Sequence, residues 1–447
     1  MTTLQTSLVI VGGGAAGLMA ACAATEAGLD CLLVERRHRP GLKLLLCGNG
    51  RCNVSHWGTA EELASAYGSP VGDFLLPALR QFPPARLKSW FEDLGLPLKV
   101  LRHRFYPRSE KSDDVLHAFT DYLRDKETPT LFNCQVKGLK RLDSGFLLDC
   151  GKLTIRAEKV LLATGGASYP KTGSTGEGHS LAVSLGHACK PLQAGLVGVE
   201  SPSVWLSTAQ NGLECNLPEV RMSLESGGRE IYTSEGNLLI DSNIVRGSAI
   251  FDCMRIVARR QLAKYSLYVD LFPNALPRDL AAMLQKIRRS IPQARDIAPI
   301  LNAAGLELRV ADGLAKQLGN DYNRDGDEER LADLLKHLPL EVSSVRPLKE
   351  AIVTVGGIAL EEINPATMES RLVPGLFFAG EVMDVDGPTG GYNLHAAFAT
   401  ARLAVKSLNG QPACPEPRKG TAQPPRQGRS KSGKSAWGKD LWKGYLR

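Results

Sequence analysis

The stretch Ser7 to Glu35, SLVIVGGGAAGLMAACAATEAGLDCLLVE, leaves this chain few ways to fold. An apolar run, Leu8 to Val11, enters a glycine cluster in which Gly12, Gly14 and Gly17 keep the G-x-G-x-x-G spacing. An alanine-rich helical segment follows and stops at Gly28, a residue type suited to a left-handed helix end. A second apolar run, Cys31 to Val34, ends on Glu35. Gly12 allows the tight strand-to-helix turn, Gly14 lets backbone approach a pyrophosphate, and Gly17 lets helix pack on strand. The helix start, Ala15 and Ala16 included, offers N–H donors and partial positive charge to phosphates. Glu35 can accept hydrogen bonds from the ribose hydroxyls of an adenosine. Strand, glycines, helix, strand and acid in this order predict a dinucleotide-binding unit. A signal peptide is the competing reading, but a basic n-region is missing and three consecutive glycines spoil an apolar helix.

A length of 447 residues suggests two or three domains. Hydrophobic content of 43% and charged content of 23% are those of an ordinary globular chain. No apolar run is long enough to span a bilayer. The ten cysteines show neither a C-x-x-C pair nor a regular spacing, so they read as reduced thiols of a cytoplasmic protein. No spacing of Cys or His suggests a metal site. The net charge of +7 is localised. From Gln411 onward there are nine Lys/Arg and two acids, which leaves 45 of each in the first 410 residues. The tail is rich in Pro, Gly and Ser, a composition expected to be disordered alone. Trp437, Trp442 and Tyr445 alternate there with Lys439 and Lys443. Basic residues with spaced aromatics suit phosphate attraction and base stacking, so RNA is a candidate partner. A solubilising tail is the plainer alternative.

After Glu35, residues 36 to 56 read RRHRPGLKLLLCGNGRCNVSH, a glycine-rich loop expected to lie against a ligand. Arg36, Arg37, His38 and Lys43 can neutralise phosphate. Gly50, Arg51, Cys52 and Asn53 put a cation, a thiol and an amide side by side. Residues 59 to 127 read as mostly helical, broken at Pro70, Pro83-Pro84 and Pro97. Ser112 or Asp113 is placed to cap a helix from Val115 to Leu123. Arg102, Arg104, Arg108 and Lys111 cluster just before it, as a solvated edge or an anion contact. LFNCQVKGL, GFLLDC, KLTIRA and KVLLATGG then alternate as strands, with Val136 expected near the adenine. The glycine- and hydroxyl-rich loop after them, opening with Thr164, Gly165 and Gly166, suits close approach to a ligand.

Residues 191 to about 270 read as a small β-rich unit and 274 to 338 as helical. Cofactor signals resume after 349. Leu376 to Ala379 is a buried strand ending in Gly380-Glu381, and Gly387, Gly390 and Gly391 loosen the turn before an alanine-rich helix from Tyr392 to Leu408. Glu381 can bind ribityl hydroxyls, and the helix start, Tyr392, Asn393 and Leu394, faces the flavin edge where negative charge builds on reduction. Two strand-to-helix units at opposite ends of one chain favour FAD over a nicotinamide. No second G-x-G-x-x-G with a following acid marks an NAD(P)H domain, so NAD(P)H is expected only as a visiting electron donor.

VGGGAAGLMAA, GLKLLLCGNGRCNVS, RFYPRSEKSDDVL, ATGGASYPKTGSTGEG and EAIVTVGGIALEEINPATMESRLVPGLFFAGEVMDVDGPTGGYNL, spread from Val11 to Ala404, resemble the BaiN/RdsA-like family of FAD-dependent oxidoreductases, also called YhiN-like or aminoacetone-oxidase-family. The chain departs at GNLLIDSNIVRGSAIFD, where the family has a Thr-His, Ser-Gly-Pro stretch. It also carries Cys47 and Asn49 where a small residue and a glycine are common. The resemblance implies an α/β fold: a discontinuous Rossmann-like FAD domain (residues 1–190 and 346–410), a β-rich insert (191–272) and a helical cap (273–345), followed here by the basic tail (411–447). It implies reduction of an activated C=C bond, in bile-acid enones for one branch and in uracil of ribosomal RNA for another. Such a reduction needs a protein acid within reach of the carbon protonated, with Cys52 the first candidate and Tyr392 the second. The basic tail favours ribosomal RNA uridine. A small-molecule enone reductase, an aminoketone oxidase and an RNA-binding flavoprotein with structural FAD are the alternatives.

Overall fold

A computed structural model of the chain describes residues 2–206, 215–319, 321–322 and 326–410. The basic tail, with Trp437, Trp442 and Tyr445, lies outside the described residues. Two compact units emerge: among the described residues one takes in 2–197, 254–262 and 346–410, the other 198–253 and 263–345.

The first unit is organised by a mainly parallel sheet. Thr130–Leu131, Cys31–Val34, Thr2–Val11 and Leu153–Leu162 lie side by side in that order, all parallel. Leu153–Leu162 carries two more partners along its length. Phe146–Asp149 pairs antiparallel with its first half and Leu376–Phe378 parallel with its second. Gly138–Arg141 extends the antiparallel meander. The C-terminal ends of the central strands, residues 8–11, 31–34 and 160–162, are unbroken apolar runs, and Val9, Ile10, Leu33 and Leu161 are fully buried, as a sheet covered on both faces requires. Ala15–Glu26 packs against Tyr392–Leu408. Both helices are rich in alanine, which lets their backbones come close. The first ends with Ala27 and a left-handed Gly28 (φ 67°). Two smaller sheets complete the unit: Cys189–Gly195 with Val353–Ile358, and Ser55–His56 with Arg104–Pro107 and Leu98–Leu101.

Several local expectations need correction. The helix expected from Val115 spans Ser112–Asp125, and Lys111 occupies its N-cap without a side-chain bond. Ser112 does not cap it; its hydroxyl is buried and donates to the Leu45 carbonyl at 2.8 Å. Residues 98–107, inside the stretch read as helical, form a hairpin whose turn holds Arg102 and His103 at positive φ. KLTIRA and KVLLA are one strand, since Lys159 does not interrupt its pairing with Thr2–Val11.

The second unit is an antiparallel sheet ordered Leu338–Leu340, Ser266–Asp270, Cys215–Ser226, Arg229–Asp241, Ile244–Arg246, Val199–Glu200, Ser344–Val345. Its longest hairpin turns at Gly227 and Gly228 (φ 60° and 73°), the left-handed pair a tight two-residue turn demands. Among the described residues four helices lie between Pro277 and Lys336: Pro277–Ser290, Ala298–Ala303, Leu308–Leu318 and Glu328–Lys336. The stretch read as β-rich also contains a helix, Ser248–Arg260, whose C-terminal half belongs to the first unit. Among the described residues no helix is long and apolar enough to cross a membrane.

Candidate functional site

All residues singled out as cofactor ligands fall in the first unit. At its early end the three glycines have distinct surroundings. A Cβ on Gly12 (φ 106°) would meet the Ala163 carbonyl oxygen at 2.6 Å, and one on Gly17 would meet the Gly12 carbonyl oxygen at 1.7 Å. A Cβ on Gly14 would meet nothing within 4 Å. Gly14 is the N-cap of Ala15–Glu26; no side chain bonds this helix start and its first turn carries no acid. The N–H groups from Ala15 onward therefore keep their capacity for an anion.

Glu35 follows the second strand and is buried. Its two carboxylate oxygens accept from the Gly13 and Arg37 amides, both at 2.7 Å, which fastens the acid to the glycine turn. The Cys134 amide donates to the Glu35 carbonyl at 3.0 Å and brings the loop holding the buried Val136 alongside. Arg36 is engaged elsewhere: it donates to Thr175 at 2.8 Å and pairs with Glu177 at 2.9 Å.

The late segment meets the early one at Gly380-Glu381. A Cβ on Gly380 (φ 72°) would lie 3.0 Å from the Cβ of Ala16 and 3.4 Å from that of Ala397, so the glycine sits between the two helices. Beside it Glu381 pairs with Lys43 at 2.7 Å and accepts from the amides of Thr354 (2.7 Å) and Gly166 (3.3 Å). Lys43 also donates to Ser168 at 2.7 Å. Burial pushes the Glu381 carboxyl up, but the Lys43 ammonium and the two amides outweigh it and hold the group below its usual value. Lys43, expected as a phosphate ligand, is thus the counter-ion of the late acid.

A third cluster surrounds the start of Tyr392–Leu408. Gly390 and Gly391 have φ of 112° and 98°; Gly391 is the N-cap, and no side chain caps the helix. A Cβ on Gly391 would strike the Ser55 carbonyl at 2.5 Å and Asn53 Oδ1 at 2.7 Å. Asn393 accepts from the Gly387 amide at 2.8 Å and donates to the Gly387 carbonyl at 2.9 Å, so its side chain braces the turn. Leu394 packs against the apolar core. Tyr392 stacks on His56 (centroids 4.8 Å apart) and meets the edge of Tyr67, whose hydroxyl donates to the Tyr392 carbonyl at 2.7 Å. Burial holds His56 below its usual value, although the Gly390 carbonyl beside Nδ1 works the other way. Arg51 turns outward to Glu110 (3.2 Å) and over the Tyr106 ring. Cys52 is fully buried, and the neighbouring Cys47 thiol together with burial pushes its own thiol well above its usual value.

Arg104, read from the sequence as part of a basic edge, reaches Gly390. His56 and Tyr67 belong to this cluster and were not singled out from the sequence, although His56 closes the quoted loop. Nor was the buried ion pair between Arg255 and Asp386 (3.1 Å), which Arg259 joins through Asp384 and Asp386. The two acids stand beside Glu381 in GEVMDVDG, a spacing that could have flagged them.

A model of the HI0933-like protein Rossmann domain matches residues 6–407. The chain belongs to that family. Among its relatives is a ribosomal RNA dihydrouridine synthase of Escherichia coli, 30% identical over 411 residues that cover 90% of this chain and 97% of the relative. A 3-dehydro-bile acid delta(4,6)-reductase of Clostridium scindens is 28% identical over 429 residues, covering 90% and 99%. The BaiN/RdsA-type resemblance is therefore borne out, and the chain is an oxidoreductase of a flavoprotein family. The residues present fit such a cofactor. Thr164 Oγ1 and Asn53 Oδ1 are buried without a hydrogen-bond partner; the first lies against Gly178, on a residue whose Cα abuts Gly12, and the second lies beside Gly391. Two helix starts in the same unit, at Gly14 and Gly391, have no side-chain cap.

Proposed function

We propose that this protein uses FAD to reduce an activated C=C bond, and that the substrate is a uridine of ribosomal RNA. The observation that carries the reading is the pair of uncapped helix starts, one from each end of the chain, whose helices pack together around Gly380, which lies against Ala16 in the first turn of one and Ala397 in the second turn of the other. The Ala15–Gly17 amides would hold the pyrophosphate, Glu35 the adenosine ribose, with Val136 near the adenine. Glu381, kept charged by Lys43, would hold the ribityl chain with Thr164, Gly165 and Gly166. Gly390 to Leu394 would hold the ring. When bound, the flavin supplies hydride, renewed by NADH or NADPH visiting transiently.

The chain's own residues then have three tasks. The N-terminus of Tyr392–Leu408 favours negative charge on the ring edge it faces. The Gly387–Asn393 turn, braced by Asn393 and packed against Tyr67, fixes that helix start. A proton must reach the substrate's α-carbon. Tyr392 is half-buried and stacked on His56, so its hydroxyl is better placed for this than the enclosed thiol of Cys52. Similarity to the synthase and the basic tail favour uridine. Similarity to the bile-acid reductase supports a second reading, a small-molecule enone reductase. Mass analysis of ribosomal RNA from a deletion strain separates them. One uridine lacking its two-hydrogen increment supports the first reading, and unaltered RNA removes it.

A further inference from the structure

Residues 47–52 close into a small loop. Gly48 and Asn49 are both left-handed (φ 58° and 59°), which reverses the chain. The Cys52 amide then donates to the Cys47 carbonyl at 3.0 Å and the Arg51 amide to the Gly48 carbonyl at 3.3 Å. This turn brings the backbones of the two cysteines together. Their surroundings differ. Cys52 is 0% exposed, whereas Cys47 is only half-buried. Lys43 and the Asn53 amide attend Cys47.

We propose that Cys47 and Cys52 are a redox pair that closes to an intramolecular disulfide on exchange with a low-molecular-weight disulfide. The turn already brings the two residues within one backbone hydrogen bond of each other, so closure requires no new chain reversal. The order of events follows from the environments. The neighbouring Cys52 thiol, with help from the Asn53 amide and Lys43 and against burial, lowers Cys47 from its usual value; the Cys47 thiol and burial push Cys52 well up. The thiolate is the attacking form, so Cys47 attacks first. Its sulfur displaces one thiolate from the external disulfide and becomes a mixed disulfide. Cys52 then passes its proton to a departing thiolate and attacks Cys47 Sγ, releasing the second external thiol. Two protein thiols are oxidised to one disulfide, and one external disulfide is reduced to two thiols. The loop lies between Lys43, which reaches Glu381, and Asn53, which touches Gly391, so its closure is felt at both clusters.

Trypsin cuts after Lys43, Arg51 and Arg80, so the cysteines fall in separate peptides, 44–51 and 52–80. Full-length protein, reduced and then equilibrated with oxidised glutathione, is alkylated and digested. The proposal expects these two peptides joined, and separated again by dithiothreitol. In Cys52→Ser, glutathione should remain trapped on peptide 44–51; in Cys47→Ser, peptide 52–80 should stay free of it. Two separately alkylated peptides in the wild type, or glutathione left unresolved on its Cys47, would overturn the pair. Glutathione on Cys52 in Cys47→Ser would overturn the order of attack. If a variant does not fold, the wild-type cross-link alone decides.

Discussion

Gly14 and Gly17 stand three positions apart and meet opposite surroundings. Gly17 is pressed against the Gly12 carbonyl, whereas the space beyond Gly14 is open. Gly17→Ala forces overlap with backbone that cannot step aside, and should destabilise the protein by about 3 kcal/mol or more. Gly14→Ala, at an ordinary φ of −79°, should leave apoprotein stability within about 0.5 kcal/mol of wild type. It should nonetheless lose flavin, because the new methyl occupies the approach proposed for the pyrophosphate. Melting of stripped protein and the yellow colour of the purified protein read the two effects apart. Loss of colour in neither variant would remove the assignment. Glycine spacing is legible because it answers to local backbone geometry. The partners of Arg36, Lys43 and Arg51 were not legible, because Glu177, Glu381 and Glu110 reach them only through the tertiary fold.

Among the elements, the closing helix was read to its ends: Gly391 frees its start and an unbroken alanine-rich run carries it to Leu408. The helix Ser248–Arg260 was missed. It follows closely on short apolar alternations whose period of two masked the change to 3.6. Inside the closing helix, His395 is fully buried. Its Nε2–H donates to the Phe82 carbonyl at 2.9 Å, and Nδ1 faces the Ser55 hydroxyl at 2.7 Å. Burial lowers this imidazole from 6.5 to about 4. Between those values the unfolded chain binds a proton that the folded one refuses. The stabilisation is complete above about pH 6.5 and is lost as the pH falls toward 4. From this residue alone, stability should drop by about 2 kcal/mol between pH 7.5 and pH 5. Urea melts of wild type and His395→Gln at both pH values measure it. An equal pH response in the two proteins would rule His395 out as the source.

At the scale of the whole molecule, charge and fold are segregated. The first 410 residues balance, and the excess cations lie beyond them. If RNA is the substrate, deleting residues 411–447 should weaken binding to ribosomal RNA fragments and flatten its salt dependence, by about 0.7 in log–log slope for each phosphate the tail would have neutralised. An unchanged slope would separate the tail from RNA binding. The order in which the chain is made sets a further condition. Lys43 and Glu381 are 338 positions apart, and Leu376–Phe378 is a late strand laid onto an early one. During synthesis the amino-terminal portion must therefore wait, with its strand edge uncovered, until almost the last of the body has left the ribosome. A message truncated after residue 345 yields no smaller working version of this domain; it yields a nascent chain with half a cradle and a bare edge, a substrate for chaperones and proteases.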